Sequence, residues 1–93
     1  MKQRYLVEMT DTYDGEANYS WVRRFIVTAS SFRGAMCVVT RETGYYAHKV
    51  MDCGDFARYD VRGACITYFV NDIPDGADGV KTLESMYNDK VLN

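Results

Sequence analysis

The chain is poor in the residues from which most catalytic and metal centres are built. Its one histidine, His48, would have to serve any Ser-His-Asp or Cys-His device. Cys37, Cys53 and Cys65 are an odd number with no CxxC spacing, so neither a disulfide framework nor a zinc cage is indicated, and reduced thiols are expected. No GxGxxG or Walker pattern is present to cradle a phosphate. There is a single proline, and no run of about 18 apolar residues that could span a bilayer. The N-terminal Met1-Lys2-Gln3-Arg4-Tyr5 leads into a strand pattern and not into a signal-peptide hydrophobic segment. These absences lead us to expect a soluble cytoplasmic protein with no cofactor, no metal and no catalytic residues.

Charge of one sign is also missing. The net charge of −2 gives neither nucleic acid nor membrane as a default partner. Its distribution is uneven: residues 1–69 hold nine Lys/Arg and eight Asp/Glu, whereas residues 70–93 hold two and five. At 93 residues the chain forms one domain, 1–93, able to bury one core but too small to enclose a deep cavity beside it. Aromatic residues, by contrast, are abundant: eight Tyr, four Phe and one Trp, with Tyr suited both to a core and to a contact surface.

The organising stretch runs from Trp21 to Gly44, a strand turning directly into an amphipathic helix. From Tyr19 to Ala29, Trp21, Phe25, Val27 and Ala29 share one side of the pleat, and Val22 and Ile26 the other. Ser30 or Ser31 caps the helix that follows, although no capping box is formed. Phe32, Ala35, Met36 and Val39 make one apolar stripe and Gly44 supplies the stop, while Gly34 either admits a close approach to the sheet or is simply tolerated.

On either side of this unit the pattern predicts further strands. Residues 4–10 alternate as a first strand, and Asp11 to Asn18 reads as a hairpin loop longer than the tight two-residue kind. Its carboxylates Asp11, Asp14 and Glu16 lack the EF-hand spacing and read as a solvated acidic loop. Tyr45 to Asp52 predicts a third strand, and Ala64 to Val70 a fourth. Between them Asp55 could cap one helical turn over Phe56–Tyr59, or FARYDVR could extend a strand pairing, and both readings fit. Asn71 to Gly79 reads as a loop, and Val80 to Leu92 carries apolar residues at helical spacing. The expected order is β-β-α-β-β-α: an α+β two-layer sandwich in which two helices cover an antiparallel four-stranded sheet.

Two helices of about 12 residues cover about one face of such a sheet. Strands two to four nevertheless carry apolar or aromatic residues at both parities, among them Val22, Ile26, Tyr46, Val50 and Tyr68. Uncovered apolar surface of this kind marks an interaction site, and Tyr, Trp and Arg dominate energetic hot spots. The expected contact residues are Trp21, Arg23, Arg24, Tyr45, Tyr46, Arg58, Tyr59 and Arg62, with a protein or a second copy of the chain as partner. Direct nucleic-acid binding is the alternative, because arginines interleaved with aromatics on a sheet can stack bases, but the balanced charge and the missing RNP pattern weigh against it. Asp52, Asp55 and Asp60 read as turn residues, and an enzyme using Cys37 or Cys53 with His48 is the third reading.

Ile26-Val27-Thr28-Ala29-Ser30-Ser31 followed by Ala35, within a hairpin, helix and two further strands over residues 4–70, resembles small proteins of phages and mobile elements, among them certain anti-CRISPR proteins. The resemblance implies a stoichiometric, non-enzymatic inhibitor that binds a subunit of a CRISPR effector complex in the host cytoplasm. It would block target-DNA binding or nuclease recruitment. No functional residue is carried over by it, and residues 1–69 depart from the acidic DNA-mimic type.

Overall fold

Two neighbouring segments with period-two alternation open the chain. In the computed structural model, which describes residues 3–73 and 90–92, they form a long antiparallel hairpin of β1 (Gln3–Tyr13) and β2 (Glu16–Ala29). Its turn is the two residues Asp14 and Gly15, both at positive φ (55° and 83°), the conformation that an Asp-Gly pair supplies between right-twisted strands. The expected long loop over residues 11–18 is therefore replaced by a tight hairpin. What breaks the ladder lies further on: between the pairs Thr10–Val22 and Thr12–Ala17, residues 18–21 of β2 stand against Asp11 alone. This wide bulge bends the hairpin.

Then comes α1 (Phe32–Thr43), preceded by Ser31, whose hydroxyl accepts from the Gly34 amide at 3.0 Å. Gly44 ends it at φ 81°, with its amide donating to the Thr40 carbonyl at 2.8 Å, so both caps fall where the sequence places them. The helix buries Ala35, Met36, Val39 and Thr40 against the sheet, and Phe32 meets Tyr5 edge-on at 5.4 Å between ring centroids. A Cβ built at Gly34 would meet only ordinary contacts at 3.4 and 3.5 Å, so this glycine is tolerated and not required.

After the helix follow β3 (Ala47–Asp52), β4 (Phe56–Val61) and β5 (Ile66–Ile73), all antiparallel to their neighbours, with β1 central between β5 and β2. A three-residue β6 (Lys90–Leu92) pairs parallel to Phe25–Val27 of β2, completing the order β3-β4-β5-β1-β2-β6.

The expected four strands, two helices and order β-β-α-β-β-α are overturned by five antiparallel strands, with the short β6 added in parallel at one edge, and a single helix among the described residues. Two segments account for the difference. Residues 56–61 alternate strictly, with Ala57 and Tyr59 buried and Phe56, Arg58 and Asp60 on the other side, and pairing on both edges wins over a helical turn that Asp55 would have to cap. The Cys53 amide donates to the Phe56 carbonyl at 2.8 Å and Asp52 accepts from the Gly54 amide at 3.0 Å, closing a tight β3–β4 hairpin. Of the expected second helix, residues 80–89 lie outside the described residues, and Lys90–Leu92 take up the hydrogen-bonding edge of β2 as strand.

The core lies between α1 and one face of the sheet. Tyr5, Val7 and Met9 of β1, Phe25, Val27 and Ala29 of β2, Ala57 and Tyr59 of β4, and Tyr68 and Val70 of β5 form it with the helix stripe. Tyr68 reaches the helix end, where its hydroxyl lies 2.8 Å from Thr43 Oγ1 and donates to the Tyr45 carbonyl at 3.2 Å. Burial pushes this phenol above its ordinary pKa, and the bond to Thr43 only partly offsets that. Ile26, on the face away from α1 and opposite Leu6, is also buried, and Glu8 and Arg24 pair there at 2.9 Å. No helix among the described residues is long and apolar enough to cross a membrane.

Candidate functional site

One helix cannot roof five strands. A helix about 10 Å across covers roughly two strands spaced about 4.8 Å apart, and α1 packs chiefly on β1 and β2. The β3–β4 wing on the same face is left with a flank of the helix as its neighbour, and an open groove of about 690 Å³ runs between them. Arg33, Met36, Cys37 and Arg41 line it from α1. Across from them stand Tyr46, Ala47, Lys49 and Tyr59.

The groove is cationic. Arg33 and Arg41 stand eight residues apart on one helix flank, about 12 Å along the axis, and Lys49 faces them from β3. No carboxylate lines it, and neither arginine makes an ion pair among the described residues. Lys49 Nζ reaches Asp52 at 3.2 Å, an exposed pair open to solvent screening. The Asp52 carboxyl is held below its ordinary pKa, first by the Gly54 amide and then by Lys49. Tyr59, at the base, is shifted upward by burial, against the opposing pull of Lys49.

The bulge presents a second exposed cluster. Asp11 accepts from Asn18 Nδ2 and from the Ser20 amide, both at 2.9 Å, and Thr10 Oγ1 donates to the Trp21 carbonyl at 2.9 Å. Bonds from Ser20 and Asn18 hold the Asp11 carboxyl well below the usual carboxylate range. Tyr19 is thereby kept at φ 56°, a left-handed backbone that costs a bulky residue about 1–3 kcal/mol. Tyr13, Tyr19 and Trp21 are all exposed around it.

Beneath this hairpin, on the face away from α1, Arg58 acts as a latch. Its Nε donates to Asp60 at 3.0 Å and to Thr67 at 3.1 Å, its Nη2 donates to the Gly15 carbonyl at 3.0 Å, and its guanidinium lies 5.7 Å from the Phe69 ring centroid. The bulge bends the strands, and Arg58 fastens the bent tip to β4.

The eight expected contact residues thus divide. Tyr46 and Tyr59 line the groove. Tyr45 is exposed just before it, Trp21 sits on the bulge, and Arg23 lies over the Phe25 ring at 5.1 Å. Arg24 and Arg58 are on the opposite face with carboxylate partners, and Arg62 is exposed in the β4–β5 turn. The groove's cations, Arg33, Arg41 and Lys49, were not among the eight. The i, i+8 spacing of two arginines beside the helix's apolar stripe was the available signal. Cys37, Cys53 and Cys65 are exposed and free, His48 is exposed on β3, and no group of three metal-ligating side chains converges among the described residues.

Comparison with protein-family models, with curated proteins and with solved structures finds no match to this chain.

Proposed function

We propose that this chain is a small non-enzymatic protein-binding module that seats its partner on the β3–β4 wing beside α1. The observation that carries this reading is the groove itself, where Arg33 and Arg41 on the helix flank face the exposed Tyr46 and Lys49 across the buried ring of Tyr59. Tyr and Arg together supply rigid contact area and directed hydrogen bonds, the chemistry of protein hot spots. With the resemblance carried by residues 26–31 and Ala35 to anti-CRISPR proteins, the partner is a subunit of a CRISPR effector complex in the bacterial cytoplasm. Its occupation blocks target-DNA binding or nuclease recruitment.

The test is an effector's target-DNA binding measured with and without the protein, alongside co-purification of the complex. Inhibition at near-equimolar protein, lost in a Tyr46→Ala/Arg41→Glu variant that still folds, supports the reading. Unchanged DNA binding across a panel of effector types, with no co-purifying subunit, removes the CRISPR target. The same cations and rings favour a second reading, nucleic-acid binding at the groove. Its signature is a gel shift that weakens steeply with salt.

A further inference from the structure

We infer that the groove recognises an extended acidic segment of its partner, with carboxylates at positions i and i+4 and an apolar side chain at i+2. This inference rests on the protein-binding reading above and adds the chemistry of what is bound. Arg33 and Arg41 present two guanidinium groups to the groove, neither of them in an ion pair among the described residues, and a guanidinium fork matches a carboxylate bidentately. Their separation along the helix is about 12 Å. In an extended chain, positions i and i+4 lie on one side about 13 Å apart. Between the two arginines Met36 supplies an apolar stretch, and Tyr59 and Ala47 continue it on the sheet, so the i+2 side chain meets hydrocarbon where the flanking ones meet charge.

The occupant's class follows from the surrounding charge. Glu42 follows Arg41 on the helix and Asp52 holds Lys49, in a chain of net charge −2. A long polyanion leaving the groove would run past these carboxylates within a Debye length of about 8–10 Å. A short segment with two carboxylates does not. Backbone pairing on β3 is disfavoured as the docking mode, because the ladder shifts between Lys49 and Met51 and the bulge interrupts the outer edge. Recognition therefore falls to the side chains in the groove.

Fluorescence anisotropy with a labelled Glu-Ser-Leu-Ser-Glu peptide tests this directly, with Gln-Ser-Leu-Ser-Gln and a single-stranded oligonucleotide as competing probes. We expect saturable binding of the acidic peptide that weakens with salt. Replacing both peptide glutamates, or introducing Arg33→Glu/Arg41→Glu, should weaken it by about tenfold or more. Both arginines are exposed, and Arg33→Gln/Arg41→Gln, checked by an unchanged thermal melt, separates lost charge from charge reversal. Equal affinity for the Gln peptide, no binding of the acidic peptide, or preferential binding of the oligonucleotide overturns the inference. Should an effector subunit bind the wild type but not the Tyr46→Ala/Arg41→Glu variant while the acidic peptide fails to bind, this inference falls and the protein-binding reading stands. Failure of subunit and peptide alike removes this inference together with the CRISPR target.

Discussion

The β1–β2 and β3–β4 hairpins are built alike and used differently. Each is antiparallel, each closes with a tight turn, and each carries a bulge. On β1, Tyr5, Val7 and Met9 are no more than 2% exposed; on β3, every residue from His48 to Asp52 is exposed. The difference is the helix. Where α1 lies over the sheet, alternation converts into a dry core. Where only its flank reaches, similar strands with rings and hydrocarbon become the floor of a wet groove. Position relative to one helix, and not strand composition, separates the core from the candidate contact surface.

The sharpest way to break the comparison is to make matched truncations on its two sides. Phe25→Ala, in the covered half, should cost about 3–5 kcal/mol in denaturant unfolding, whereas Tyr46→Ala, 79% exposed beside β3, should change stability by less than about 0.5 kcal/mol. Comparable losses from the two would mean that the wing is core after all. Arg58→Ala should cost about 1–3 kcal/mol, because it removes bonds to Asp60, Thr67 and the Gly15 carbonyl together. It should also speed amide exchange in residues 11–20, and unchanged exchange there would dissolve the latch.

Smaller effects sharpen the contrast. Gly34→Ala should stabilise the protein by about 0.4–1 kcal/mol, since the site has room for a methyl group and the unfolded chain loses freedom. A loss of stability would instead show that α1 approaches β2 too closely for a side chain. The bulge should respond to acid alone. The Asp11 carboxyl is depressed in the folded state, so its contribution is fully present above its ordinary pKa of about 3.9 and is lost as pH falls below that towards the folded value. Fluorescence of Trp21, the only tryptophan, should therefore change below about pH 4 in the wild type, and Asp11→Asn should abolish that local transition.

Much of the first half of the fold was legible. A serine cap at the start, left open between Ser30 and Ser31 and taken by Ser31, the stripe through Val39 and the stop at Gly44 follow the sequence pattern, because each depends on hydrogen bonds and neighbours within about four residues. The tight Asp14-Gly15 turn was missed, because the cluster of turn residues and carboxylates from Asp11 to Asn18 favoured a longer loop. In residues 56–61 alternation and a helix cap competed, and only two flanking strands decide between them. The candidate site was half legible. Tyr46 and Tyr59 were readable as contact types, while Arg24 and Arg58, of the same chemistry, were drawn into ion pairs by Glu8 and Asp60 on the other face.

By itself the sequence determined the strand-to-helix unit from β2 into α1, because periodicity and caps are local physics written in neighbouring residues. Only the tertiary structure decided that residues 33 and 41 would stand across a groove from residues 46, 49 and 59. That juxtaposition depends on strand order and on which strands one helix can reach. Both are set by loop closure and by competition for buried area across the whole chain, which no window of the sequence contains.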